Sequence, residues 1–582
     1  MVLIAVSCIS IVGNAQKRSC GLWLNEVPLV ADSTAGRMYA TLEPEADYAL
    51  KGTMRWDGEV YQSVVLNGNE LNAGQGNFSV NDWSDRTVNT LTLTDRDGSQ
   101  REWKMVFTTL PLVLIESDQK ELYELWKRYD HDIKYPSSIT VIDARFRTEG
   151  MAEFYSNIGI HVRGVTSAGK PKKSFAIELR DEEGEELDVH LLGYRNDGDW
   201  ILDAMYSDHS RMRNRLTFDI WNAIDDLPYE KDNQYQCNGT QGEFVEVFTK
   251  GKYNGLYCFT DKIDRKKLNL KKTKEATETS EEETRGLLWK AKFRCSETTF
   301  YDYHELPTND TLVWPLDDSP NRQEYWIQEY PSDRQDQAYF DPILHAIDIV
   351  GKDRSSNTVF ADSVENLFYF DNVINFVICS QVFQWMDNLQ KNYFLSIRNI
   401  KKDSRMLITP WDLDATLGRN AGGDKSVDDK KWMAWGEQLG GINCLVWRLK
   451  ERRPNDFATR LNDRWQYLKT HELSIENIRK RMMKYGDLFT NSGAWEREKE
   501  YVYDLIGGKD SGKDVKIDGT VYEEIDFICD FLERNYAKFE EKVASWKPSE
   551  YTEPKLEENA LYVVGYDSIA EFEGNVATVP GK

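Results

Sequence analysis

Between Cys20 and Leu112 the apolar residues fall on alternate positions in short runs, MYATLE, YALKGTMRW, YQSVVL, TVNTLTLTD and EWKMVFTTL, broken by Gly, Asn and Asp. A period of two buries one face of a strand and leaves the other to water, and turn residues at this density connect the runs as hairpins. Residues 16–112 therefore read as a small antiparallel, Ig-like β-sandwich. The stretch has no clustered acids or histidines, which suits a spacer or docking module rather than a site of chemistry. After LPLVLIES the period changes. Helical patterns such as QKELYELWKRYD and SRMRNRLTFDIWNAI alternate with strand patterns such as IGIHVRG, SFAIELR and FVEVFTKGKYNGLYCFTD. From GGINCLVWRL to FLERNYAKFEEKVASW amphipathic helix dominates, so the fold class is α+β. Residues 271–286, KKTKEATETSEEETRG, are charged and free of aromatics and read as an exposed loop. The tail, 547–582, carries Pro548 and Pro554 and then ALYVVGYDS, which reads as a returning edge strand.

Composition narrows the partners. A chain of 582 residues that is 40% hydrophobic and 12% aromatic can bury real cores in two to four domains. With 73 basic against 98 acidic residues its charge of −25 repels a phosphate backbone, and no basic stripe interrupts it, so nucleic acid is excluded as a partner. The first residues, MVLIAVSCISIVGNAQ, form an apolar run with Gly13 and Ala15 placed for cleavage after Ala15, so residues 1–15 read as a signal peptide that lacks the usual basic start. The expected location is secreted, periplasmic or at the cell surface. No later segment reaches 18 uninterrupted apolar residues, so no transmembrane helix is expected. Cys20, Cys237, Cys258, Cys295, Cys379, Cys444 and Cys529 show no Cys-x-x-Cys spacing and read as small buried apolar residues, although Cys237 and Cys258 flank a strand pattern and could pair.

Polarity concentrates at FQWMDNLQKNYF, residues 383–394, within a segment that otherwise reads as packed helix. Asp387 followed five residues later by Asn392 has the spacing of a kinase catalytic loop, in which the acid orients the attacking hydroxyl and the amide binds the metal on ATP. From Asn392 the chain reads NYFLSIRNIKKDSRMLITPWDLD, two strand-like runs around a polar KKDS turn. With residues 402 and 403 near the tip, antiparallel pairing sets Asn392 roughly opposite Asp412, and Asp387 arrives from the preceding turn. Three oxygen ligands then converge in the manner that Mg²⁺ requires when it keeps positions open for phosphate. Asp414 is a further candidate ligand or outer acceptor. The bland alternative is that Asp387 caps a turn and WDLD is an exposed hairpin end.

A second constellation lies in IHVRGVTSAGKPKKSFAIEL. One strand ends at Arg163, a Gly/Ser/Lys loop follows, and Lys172 and Lys173 open the next strand, an arrangement able to hold phosphate oxygens on backbone N–H groups and fixed cations. An ordinary solvated hairpin turn has the same outline. GGKDSGKD, residues 507–514, has phosphate-loop spacing, but Asp514 stands where Ser or Thr would hold Mg²⁺, and it reads as a mobile loop. The seven histidines include no H-E-x-x-H and there is no G-x-S-x-G, so zinc and serine hydrolysis drop out.

Taken in order, RGVTSAGKPKKSFAIEL, DWILDAMYSDHSRMRNRLTFDIW, FVEVFTKGKYNGLYCFTDKIDRK, the Asp387 to Asn392 loop with NYFLS, and PWDLDATLG resemble the spore-coat-protein-H (CotH) kinase family over about 110–545. The resemblance implies an atypical protein-kinase-like domain, 113–546, that uses ATP and Mg²⁺ or Mn²⁺ to phosphorylate Ser or Thr on secreted or coat proteins. It implies Asp387 as catalytic acid–base, Asn392 and Asp412 as metal ligands, and Lys173, with Arg163, on phosphate; Asp208, Arg213 and Asn214 match a helix-start motif of structural character. The chain departs from the kinase pattern in having Trp385 where a His would precede the acid, and Leu413 and Asp414 after Asp412 where D-F-G has Phe and Gly; the family tolerates both. Asp261 stands where many members have Glu, which shortens any ion pair to Lys173. The expected function is a secreted, metal-dependent protein kinase. The alternatives are a kinase-fold binding or surface-assembly protein without turnover, and a metal-dependent hydrolase built on the same acids.

Overall fold

A computed structural model describes residues 20–43, 49–71, 75–80, 82–83, 87–118, 133–164, 167–230, 233–277, 282–292, 294–302, 326–332, 339–385, 387–420, 423, 425, 437–438, 441–507, 517, 519–546, 563–565 and 568–570. The signal peptide expected at 1–15, the helix expected over 119–130 and all but the first residue of the 507–514 loop lie outside them. The chain divides into two compact units, each assembled from three stretches: 1–212, 241–262 and 482–524 in a barrel unit, and 213–240, 263–481 and 525–582 in a hairpin unit.

The barrel unit begins with two sheets. Val27–Pro28, Leu22–Leu24, Leu50–Trp56 and Gln75–Val80 make a four-stranded sheet; Val30–Asp32, Arg37–Thr41, Gln100–Thr108, Asn89–Asp95, Tyr61–Leu66 and Asn69–Glu70 make a six-stranded one. The ladder between Arg37–Thr41 and Gln100–Thr108 is parallel. Alternation in the sequence becomes burial here: Leu22, Leu24, Met54 and Trp56 from the first sheet and Met38, Val64, Leu91, Leu93 and Met105 from the second enter one core.

Seven strands then close a barrel in the order Leu112–Glu116, Tyr135–Ile142, Glu153–Val162, Phe175–Arg180, Asp199–Asp203, Lys252–Asp261 and Gly242–Thr249. The last pairs in parallel with the first, so no edge remains. Val113, Ile139, Ile158, Ile177, Trp200, Val245 and Phe259 fill the interior. The helix Ala494–Leu505 packs on Lys252–Asp261 and delivers Glu498, fully buried, to three donors. Lys172 Nζ lies 2.8 and 3.0 Å from its two oxygens, Arg211 Nε 2.8 Å from Oε1, and the Leu256 amide donates to Oε2 at 2.8 Å. Gly255 makes this approach possible, because a Cβ there would lie 2.5 Å from Glu498 Oε2, and its φ of +101° is one that only glycine adopts readily.

In the hairpin unit, Trp326–Tyr330, Leu287–Ala291, Tyr393–Ile397 and Leu407–Pro410 form a four-stranded sheet. Helices Arg213–Ile224, Asp341–Val350, Asn357–Leu367, Phe370–Val382, Cys444–Arg452 and Phe457–Thr470 and most of Val521–Ala544 belong to the same unit. Just after the first of these helices, Asp225 is buried and accepts from the side-chain amides of Asn238 (2.7 Å), Asn372 (2.9 Å) and Asn375 (2.8 Å). Asn372 also exchanges two 2.9 Å bonds with the Ile408 backbone, so this polar knot holds the second hairpin strand from behind. Burial raises the Asp225 carboxyl to about 6 against the lowering effect of the three amides.

The described ends of the 271–286 loop are joined by an isolated bridge between Lys274 and Glu283. In the tail, Val563–Gly565 pairs antiparallel with Ser568–Ala570, so that these two strands partner each other. Cys237 and Cys258 form no disulfide, nor do the other five described cysteines, and the pairing considered from their flanking strands is not made. No described helix is long and apolar enough to cross a membrane.

Candidate active site

The site is built around the break after helix Phe370–Val382. Its last carbonyls, Gln381 O and Val382 O, accept from Asn535 Nδ2 at 2.9 and 2.6 Å, which satisfies groups a helix end leaves orphaned. Gln384 then turns left-handed at φ 54°, and the chain leaves the helix for the loop that carries Asp387. Trp385, in the place of the kinase His, is fully buried and meets Trp221 and Phe376 edge-on with centroids 5.9 and 5.6 Å away. It anchors the loop by packing, a task imidazole would perform poorly.

Beyond the loop the expected hairpin forms, with Tyr393 paired to Pro410 and Ser396 to Leu407. Extended by one residue, this register sets Asn392 opposite Trp411, where a tip at residues 402 and 403 would have set it near Asp412. At this open end Asn392 and Asp412 both adopt left-handed backbone, each at φ 57°. Their side chains meet: Asn392 Nδ2 donates to Asp412 Oδ2 at 3.3 Å. Asp387 is one-fifth exposed and pairs with Lys391, whose Nζ lies 2.8 Å from Oδ2. Asp414 is half-buried two residues beyond Asp412.

Several polar groups hold the mouth of the hairpin in shape. Asn388 Nδ2 donates to Asn392 O at 2.8 Å and to Trp411 O at 2.7 Å. Asn214, in the first turn of helix Arg213–Ile224, accepts the Leu413 amide at 3.0 Å. Arg213, fully buried, reaches Thr416 O at 3.2 Å and Leu417 O at 3.5 Å. The helix-start residues Arg213 and Asn214 thus have a specific task, the support of the loop after Asp412. Asn388 stood in plain view in the polar cluster, but its role depends on where two carbonyls lie in space.

The structure brings Asn392 and Asp412 together and sets Asp387 in the loop that precedes them, all in the hairpin unit. The residues fit a small divalent ion. Ligands at 2.0–2.1 Å from Mg²⁺ lie about 3 Å apart, close to the 3.3 Å between these two side chains, and a turn of the Asn392 amide presents its oxygen instead of its nitrogen.

Lys173 and Arg163 belong to the barrel unit. Lys173 Nζ donates to Ala168 O at 2.7 Å, and partial burial lowers its pKa. The Arg163 amide bonds Ser174 O at 3.0 Å. Asp261 accepts the Gln241 amide at 2.8 Å and lies 3.8 Å from Arg195 Nε. The lysine with a buried acidic partner is Lys172, and that partner is Glu498. Glu186, Asp188 and Asp197 also form an acidic cluster in the barrel unit, with carboxylate oxygens within 4.8 Å of one another, but Arg195 already lies 3.2 Å from Asp197.

Residues 160–538 match the family described as CotH kinase protein, and the chain belongs to that family. No curated protein matches it. Membership suggests a kinase-like protein, with ATP and a divalent metal as its cofactors.

Proposed function

We propose that the protein is a secreted or surface-exposed, metal-dependent kinase that transfers the γ-phosphoryl group of ATP to a Ser or Thr hydroxyl of an extracellular or surface protein. The observation that carries this reading is the meeting of Asn392 and Asp412 at 3.3 Å at the mouth of a hairpin, immediately after a loop bearing Asp387. On this reading Asn392 and Asp412 hold the metal, which neutralises charge on the nucleotide phosphates when bound. Asp387 orients the acceptor hydroxyl and takes its proton as the oxygen bonds to the γ-phosphorus and the bond to the ADP oxygen breaks. Lys173 and Arg163 are assigned to phosphate. The proposed domain plan is a signal peptide at 1–15, a β-sandwich at 16–112 whose two sheets share one core, an atypical kinase-like domain at 113–546 and a tail at 547–582.

The test incubates the purified chain with γ-labelled ATP and Mn²⁺ or Mg²⁺, with and without a panel of secreted proteins, beside Asp387→Asn. Label on protein with wild type, lost in the variant, is the expected result. Nucleotide binding with no transfer points to the binding-protein alternative, and free phosphate with no labelled protein to the hydrolase.

A further inference from the structure

Asn392 and Asp412 share an unusual property. Both are non-glycine residues in left-handed backbone at the open end of one hairpin, and their side chains meet. A left-handed L-residue costs of order 1 kcal/mol, with Asn and Asp among the more tolerant, so the pair persists where surrounding bonds define it. Three bonds do so. The Trp411 amide donates to Asn392 O at 2.9 Å, and the Asn388 carboxamide spans both sides, donating to Asn392 O at 2.8 Å and to Trp411 O at 2.7 Å. Asn388 is 2% exposed, so water does not compete for these donors.

We propose that Asn388 is the positioning residue of the metal site: its carboxamide ties the backbone of Asn392 to that of Trp411, and so sets the separation at which Asn392 and Asp412 present their oxygens to one divalent ion. The inference rests on the metal-site reading above. Asn388 touches neither metal nor substrate and acts through the two residues it joins. The chemistry explains the residue type. Both groups to be held are carbonyl oxygens, so the tie must be a double donor without charge. Asp would set a carboxylate against two carbonyls, Ser offers one donor, and Ala offers none. The position directly after Asp387 gives the loop acid and the hairpin ligands a common anchor.

The test uses the full chain and Mn²⁺ as probe, with binding read by the loss of the free-ion paramagnetic resonance signal and by calorimetry, for wild type, Asn388→Ser, Asn388→Ala and Asn388→Asp. Circular dichroism establishes that each variant is folded. Loss of a group that orients metal ligands weakens metal binding by about 10- to 100-fold, so Asn388→Ala is expected in that range, Asn388→Ser between it and wild type, and Asn388→Asp weakest. In phosphate transfer the Mn²⁺ concentration for half activity rises by the same factor, and turnover recovers at saturating Mn²⁺, a split that a general loss of fold does not produce. Mn²⁺ affinity unchanged in folded Asn388→Ala and Asn388→Ser overturns the role of Asn388 and leaves the kinase reading standing. Wild type that takes up no Mn²⁺, alone or with ATP, overturns the metal site and this inference with it.

Discussion

Glu498→Gln should strongly destabilise the barrel unit. Glu498, Lys172 and Arg211 have no exposed side-chain surface, and one carboxylate serves both cations. Within the triad two positive charges face one negative, with Asp203 a weaker influence on Lys172, and burial pushes the Lys172 ammonium down to about 8 despite these carboxylates. Removing one member of a buried pair costs about 3–5 kcal/mol, because the other is left uncompensated. Glu498→Gln strands two, and its amide nitrogen also confronts a donor, so its cost belongs at the top of that range. Lys172→Met removes the surplus charge instead. It leaves the Arg211–Glu498 pair at 2.8 Å, keeps a flexible apolar chain against the Tyr257 ring, and gives up hydrogen bonds worth about 1–2 kcal/mol net. The two variants of one ion pair should therefore differ by at least about 2 kcal/mol. Hydrogen exchange of peptides spanning Lys252–Asp261, which contain the Leu256 amide bonded to Glu498, reads the barrel alone. Roughly a hundred- to several-thousand-fold faster exchange is expected for Glu498→Gln. Equal acceleration in both variants, or less than tenfold in Glu498→Gln, would refute the charge argument.

The same cluster predicts a pH response. Lys172 holds its proton less tightly folded (about 8) than unfolded, so the unfolded state binds more protons between those values, and stability attributable to Lys172 should rise with pH from about 8 towards 10; denaturation profiles of Lys172→Met should lack that rise. Asp225 behaves oppositely. Its folded value of about 6 lies above the unfolded one, so its contribution is full below about pH 4 and declines up to about pH 6, and Asp225→Asn should remove the decline while costing about 1–3 kcal/mol, because its amide nitrogen faces an amide donor. Asp412→Asn should lower phosphate transfer by several orders of magnitude and shift the melting temperature by only a few degrees, since the side chain sits at the open end of the hairpin; a melting temperature lowered by more than 10 °C would show that Asp412 holds the fold.

Much of the hairpin is legible because two strand-like runs, buried at every position, flank a polar turn, and acids and amides mark the open end. The exact register, with Asn392 opposite Trp411, depends on where the turn closes, and the left-handed backbone of Asn392 and Asp412 carries no signature in the sequence. Four of the barrel strands, Glu153–Val162, Phe175–Arg180, Gly242–Thr249 and Lys252–Asp261, are visible as runs in the sequence, whereas Tyr135–Ile142 and Asp199–Asp203 are not, and closure depends on the parallel pairing of Leu112–Glu116 with Gly242–Thr249, whose partners are far apart in sequence. Lys172 and Lys173 are adjacent, and only the tertiary fold determines which of them turns inward. Glu498, its partner, looks like one more charge on an amphipathic helix.

The interleaving of the two units bears on how the chain is made. Lys172 and Arg211 precede Glu498 by 326 and 287 residues, so at about 5–20 residues per second a ribosome releases the two cations roughly 15 to 65 s before the carboxylate that neutralises them. Until then a closed barrel would bury both charges uncompensated, which favours a nascent chain that waits, open and exposing apolar strands, for its final sixth. A message truncated before Glu498 should therefore yield aggregate rather than a free-standing barrel.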